Sequence, residues 1–152
     1  MLNSPKTYFE WCNVLDLLKT SSSSDNDILE TINNGTIESG SYQRLFNRLS
    51  EIIEFRINKA GEKFDSITKK SSDINIISPA LNNLKREFIF LVKIAKSKSI
   101  INVSEEYSKK LSDFIKKSAD SMNESLEKSS ASDRTGMLKK IISNAKINDL
   151  GV

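Results

Sequence analysis

Apolar side chains recur at helical spacing along the stretch from residue 42 to residue 67, with no proline in it. At about 100° per residue they fall within a band roughly 140° wide. The stripe consists of Tyr42, Leu45, Phe46, Leu49, Ile52, Ile53, Ile57, Ala60, Phe64 and Ile67. Such a stripe is typical of an amphipathic helix with one face on a core, and the helix would approach a length of about 40 Å.

The composition extends this prediction to the whole chain. The 152 residues include only 5 glycines and 2 prolines, and an all-β domain would need many more turn-forming residues. Hydrophobic residues make up 38% and charged residues 28%, as in globular rather than disordered chains. We therefore predict one all-α domain over residues 1–152, an elongated antiparallel bundle of about five to six helices.

Local start signals divide the chain into helical segments. Ser4-Pro5 and Ser78-Pro79 each predict a helix start, with the serine as N-cap and the proline at the first helical position. Further helices are predicted near residues 28–32, 42–69, 79–98, 104–128 and 133–147. A serine-rich break precedes the last segment, so the helix at 133–147 either completes the bundle or is detached and docks on a second copy or another partner.

The segment near 79–98 is the most apolar of the chain. Its apolar positions cover an arc of roughly 200°, which predicts the centre of the bundle. The longest apolar run, residues 88–92, stops at Lys93 and is far shorter than a membrane span requires. The amino end lacks the pattern of a signal peptide, and the single cysteine, Cys12, fits a reducing compartment. We expect a cytoplasmic protein without a membrane span.

Catalytic equipment is scarce in this sequence. The chain has no histidine, which removes the commonest general base and the commonest metal ligand. The glycine-rich phosphate-binding motifs and the EF-hand loop are also absent. We predict a non-enzymatic protein without catalytic, cofactor or metal sites and without a small-molecule substrate, and we assign it to no family.

Charge is distributed unevenly along the chain. Residues 1–38 contain two Lys and Arg against six Asp and Glu, whereas residues 39–103 contain twelve against six. An acidic amino end beside a basic middle predicts either complementarity within the chain or a surface for an anionic partner.

The basic middle supplies a candidate surface for nucleic acid or another anionic partner. Its residues are Arg44, Arg48, Lys59, Lys85, Arg86, Lys93 and Lys96. Clustered cations are what phosphate binding requires. Glutamates interleave these cations, however, and no nucleic-acid-binding motif is present. A solvated helix face is the alternative interpretation.

Arg56 lies within the apolar stripe of the 42–67 segment. One interpretation buries it in a polar network with a counter-charge such as Glu87, because an unpaired buried charge is very costly. The interpretation we favour packs the stem and lets the guanidinium reach solvent.

The remaining candidates concern protein contacts. Trp11 is either a core residue or an interface anchor, since tryptophan is enriched at binding hot spots. The predicted terminal helix presents Met137, Leu138, Ile141 and Ile142 on one face. Our leading hypothesis is a helical interaction module, such as an adaptor, regulator or assembly factor, that binds a protein partner or itself. The alternative is a nucleic-acid-binding helical protein that uses the basic surface within residues 44–98.

Overall fold

A computed structural model describes residues 3–21, 23–38, 40–70 and 73–130, without the side chains of residues 68, 74 and 123–130. The described residues form six α-helices and no strand, which confirms the predicted all-α fold. They are α1 (Tyr8–Thr20), α2 (Asp25–Asn33), α3 (Tyr42–Lys70), α4 (Ile74–Ala95), α5 (Lys98–Val103) and α6 (Glu105–Ser130). The predicted helix near 133–147 lies outside the described residues, and the antiparallel arrangement remains a prediction.

The helices divide between two compact units. Unit 1 comprises Met1–Arg56 and Phe90–Asp113, and unit 2 comprises Ile57–Ile89 and Phe114–Val152. Helices α1, α2 and α5 belong wholly to unit 1, while α3, α4 and α6 each contribute residues to both units.

Unit 1 is built around the amino-terminal helices. Helix α1 contacts α2, and α2 contacts α5. From α1, Trp11, Leu15 and Leu18 are almost fully buried. The other apolar core residues of unit 1 are Val14, Ile28, Ile32, Leu45, Phe46, Leu49, Ile52, Ile53, Phe90, Leu91, Val92, Ile94, Ala95, Ile100 and Leu111. The apolar face of α3 and the apolar end of α4 are therefore buried, as the helical spacing predicts.

Unit 2 has its own core. Its buried apolar residues are Ile57, Phe64, Ile77, Ala80, Leu81, Leu84, Phe88, Ile115 and Ala119. Gly61 of α3 lies so close to α6 that an added Cβ would stand 2.9 Å from the Cε atom of Met122. The glycine thus permits a close approach of two helices.

Helix α1 begins later than Ser4-Pro5 predicts. Its N-cap is Thr7, which forms a capping box with Glu10: the Thr7 side chain accepts from the Glu10 amide at 3.2 Å, and Glu10 Oε1 accepts from the Thr7 amide at 3.1 Å. Pro5 instead anchors the preceding segment, because its carbonyl accepts from the Thr36 amide at 2.9 Å.

The predicted start of the fourth segment is also wrong. Helix α4 begins at Ile74, so Pro79 lies inside it rather than at its first position. The same helix ends at Ala95, and the separate helix α5 follows from Lys98. The predicted start near residue 104 is confirmed, since Ser104 Oγ accepts from the Tyr107 amide at 3.1 Å and α6 follows at once.

The predicted apolar stripes hold with few exceptions. Tyr42, which belongs to the predicted stripe of α3, is 40% exposed, and Phe114 of α6 is 41% exposed. Cys12 is half-buried.

Candidate interaction site

The first two arginines of α3 face α1. The Arg44 guanidinium lies over the Tyr8 ring, 4.6 Å from its centroid. Arg48 donates to Asp16 Oδ1 at 2.7 Å, and this hydrogen bond raises the pKa of Arg48. Two members of the predicted anion-binding surface therefore contact α1. For unit 1, these contacts favour complementarity within the chain over a surface for an anionic partner.

Arg56 joins three helices of unit 1 from a buried position. The residue is 7% exposed. Its Nη1 atom donates to the Leu18 carbonyl at 2.9 Å, near the end of α1. Its Nη2 atom lies 3.7 Å from Asp25 Oδ1 on α2, and its guanidinium lies 4.9 Å from the centre of the Phe90 ring. The interpretation we favour, a guanidinium that reaches solvent, is wrong.

The other predicted basic residues are divided between the units. Lys93 and Lys96 are exposed near the end of α4 in unit 1, whereas Lys59, Lys85 and Arg86 belong to unit 2. Lys85 is half-buried there. The structure brings together Arg44 and Arg48 beside α1, and their role toward an anionic partner stays a prediction.

Trp11 belongs to the core of unit 1. It is 2% exposed, and its Nε1 atom donates to the Thr36 carbonyl at 2.7 Å. A Cβ added to Gly35 would lie 2.5 Å from Trp11 Cζ2, so the glycine makes room for the indole. The indole is therefore enclosed by its own chain and does not present a surface anchor. Met137, Leu138, Ile141 and Ile142 lie outside the described residues.

A groove between α3 and the start of α6, which we call the α3–α6 groove, is a concave feature of unit 1. It is an open depression with a volume of about 310 Å³, at the lower end of the range for ligand pockets. Its lining residues are Tyr42, Gln43, Phe46, Asn47, Ser104, Glu106, Tyr107 and Lys110.

Three aromatic rings form the apolar part of this groove. Tyr42 meets Phe46 edge to face with ring centres 5.7 Å apart, and Phe46 stacks on Tyr107 at 4.0 Å. Because Tyr42 and Phe46 are four residues apart, they lie on one side of α3. Arg44 and Arg48 face α1, so α1 and α6 occupy different flanks of α3.

The Tyr107 hydroxyl fixes the aromatic rings in place. It donates to the Phe46 carbonyl at 2.8 Å and shares a 2.7 Å hydrogen bond with Ser50 Oγ. Burial raises the pKa of Tyr107 to about 12, because the anionic form would lose its hydration. The groove therefore has a rigid, uncharged aromatic floor.

The rim of the groove is polar but balanced in charge. Lys110 pairs with Glu106 at 3.0 Å across one helical turn. Gln43 and Asn47 are exposed, and no other described residue bonds to their side-chain amides. Each amide offers both donors and an acceptor. The arrangement can hold an apolar group on the floor while the rim pairs with neutral polar groups such as peptide amides.

Sequence reasoning missed this groove. The available signal was weak: Tyr42 and Phe46 stand at the start of the predicted stripe of the 42–67 segment, and Tyr107 stands near the start of the predicted helix at 104–128. The rings come together through the contact of Tyr107 with Phe46, and these two residues are 61 positions apart in the chain. Local spacing in the sequence does not predict such a contact.

Among the described residues, no group of three or more Cys, Asp and Glu side chains could hold a metal ion. Within the same residues, no helix combines the length and the apolar character needed to cross a membrane. Comparisons with protein-family models, with curated proteins and with solved structures find no match for this chain.

Proposed function

We propose that this chain is a non-enzymatic helical interaction module that binds a protein partner through the α3–α6 groove. The observation that carries the proposal is the combination of a packed aromatic floor with two exposed amides that have no partner within the described residues. Aromatic side chains in a concave site bind apolar anchors of a partner, while neighbouring amides satisfy its backbone groups.

The charges of unit 1 also favour a protein partner over nucleic acid. Arg48 and Arg56 have acidic neighbours inside the unit, and the groove rim pairs its lysine with a glutamate. A phosphate backbone requires cations that are free to replace its counterions. A neutral segment of a protein can bind without such cations.

Affinity purification of the tagged chain under native conditions, followed by quantitative mass spectrometry, tests the proposal. Asn47→Glu places a charge on the groove rim without harming helix propensity. Asn82→Glu, on the exposed side of α4 in unit 2, is the matched control.

We expect a partner protein that the wild type and Asn82→Glu retain equally and that Asn47→Glu retains about tenfold less, a difference of about 1.4 kcal/mol. Nuclease treatment should not change the result. Retention that is identical in all three proteins, or that disappears with nuclease, would contradict the proposal.

A further inference from the structure

Phe9 is the most exposed large apolar side chain among the described residues of the chain, at 74%. It stands in the first turn of α1, where the Thr7–Glu10 capping box fixes the backbone. A phenyl ring has few rotatable bonds, so it loses little conformational entropy when a partner buries it. This is the type of side chain that anchors a contact between proteins.

Phe9 and the α3–α6 groove belong to the same unit but do not meet within one chain. The lining of the groove does not include Phe9, and α1 lies on the flank of α3 that carries Arg44 and Arg48. One copy therefore presents a projecting ring and an aromatic groove at separate places. If one copy met a second through these two surfaces, the contact would be between unlike patches.

We propose that Phe9 of one copy binds in the α3–α6 groove of a second copy; this inference rests on the proposed function of the groove. The phenyl ring would pack against Tyr42 and the Phe46–Tyr107 pair, in the offset or edge-to-face geometry that aromatic rings prefer.

The charges around both surfaces agree with this contact. Phe9 is flanked by the exposed Lys6 and Glu10, and the groove carries Lys110 and Glu106. Each surface has one cation and one anion, so the two surfaces approach without an excess of like charge. A contact built on one anchor buries little area and is expected to be weak, with a Kd of about 10 μM to 1 mM.

Sedimentation equilibrium of the purified full chain, up to a concentration of about 1 mM, measures this association. Phe9→Glu removes the anchor and places an acid in the first turn of a helix, where it is tolerated. Asn47→Glu alters the groove. Phe114→Glu, which changes an exposed phenylalanine of unit 2, is the control.

We expect wild type and Phe114→Glu to associate equally, and Phe9→Glu and Asn47→Glu each to associate at least about tenfold more weakly. A mixture of the two weak variants should recover association, because Asn47→Glu still offers Phe9 and Phe9→Glu still offers an intact groove. That recovery is the signature of a contact between unlike surfaces.

A wild type that stays monomeric at about 1 mM overturns this inference, and so does association that survives in Phe9→Glu or fails to recover in the mixture. The proposed function fails separately, in the affinity purification. A monomeric wild type that retains another protein through Asn47 would leave the groove as a partner site and remove only the self-association.

Discussion

At the scale of single residues, the guanidinium of Arg56 contacts partners on three other helices, α1, α2 and α4. Arg56→Ala would leave the Leu18 carbonyl without its donor and open a cavity beside Phe90. We expect the free energy of unfolding to fall by about 3 kcal/mol, measured by denaturant titration.

Arg44→Ala is the control for Arg56→Ala, because Arg44 is exposed and its guanidinium lies over the face of Tyr8 instead of in the core. Arg44→Ala should lower the free energy of unfolding by only about 0.5–1 kcal/mol, the value of an exposed cation–π contact. Equal effects of the two substitutions would show that Arg56 does not stabilise the unit from a buried position.

Tyr107 gives a pH dependence with a definite sign. Its pKa in the folded chain is raised to about 12, whereas a tyrosine in the unfolded chain titrates near pH 10. The unfolded state therefore loses its proton first. Stability is unaffected below about pH 10 and falls between about pH 10 and 12, by up to about 3 kcal/mol.

Denaturant titrations of wild type and Tyr107→Phe across this pH range check the prediction. Both proteins share the titration of lysines, so the difference between them isolates Tyr107. The difference in the free energy of unfolding between wild type and Tyr107→Phe should be constant below about pH 10 and become smaller above it. A difference that stays constant throughout would contradict the raised pKa.

The sequence predicts which residues are buried much better than which polar groups meet. Leu49, Ile53 and Phe88 follow from helical spacing alone, because burial of an apolar face is a local pattern. The partners of Arg48 and Arg56 lie 32 and 38 positions away in the chain. Such pairs depend on how helices pack, and the α3–α6 groove depends on packing for the same reason.

At the scale of helices, distant contacts decide where a helix starts or ends. Ser99 Oγ donates to the Ile32 carbonyl at 2.6 Å, and the Lys98 amide donates to Asn33 Oδ1 at 2.9 Å. These bonds to α2 hold the chain where α4 has ended and α5 begins. A serine followed by a proline looks the same at a helix start and inside a helix, so local signals alone did not place Pro5 or Pro79 correctly.

Pro79→Ala tests the position of Pro79 inside α4. Alanine restores an amide donor and removes the clash of the proline ring with the preceding turn. We expect the free energy of unfolding to rise by about 1–2 kcal/mol. Alanine stabilises the helix, and this effect is larger than the stability lost because alanine leaves the unfolded chain more conformational entropy than proline does.

Asn82→Ala, at an exposed site on the same helix, controls for helix propensity and should raise the free energy of unfolding by only about 0.5 kcal/mol. Destabilisation by Pro79→Ala would instead support a helix that starts at Pro79, where proline is favoured at the first position.

At the scale of the whole molecule, the net charge of +3 is a poor guide to partners. Part of the basic charge of unit 1 lies beside acidic side chains of the same unit. We expect no detectable binding of single- or double-stranded nucleic acid in fluorescence anisotropy at about 50 mM salt.

Binding that weakens steeply with salt would instead favour the nucleic-acid hypothesis. The doubly substituted variants Lys93→Gln/Lys96→Gln and Lys85→Gln/Arg86→Gln would then assign it to unit 1 or unit 2, because each variant removes cations from one unit only.

The two units also differ from ordinary domains in how the chain builds them. Each unit combines two separate stretches of sequence, and the boundaries fall inside α3, α4 and α6 rather than in loops. No single cut can release either unit with its core complete. To separate one unit from the other, the chain would have to be cut inside α3, inside α4 and inside α6, so the cores of both units depend on helices that remain whole.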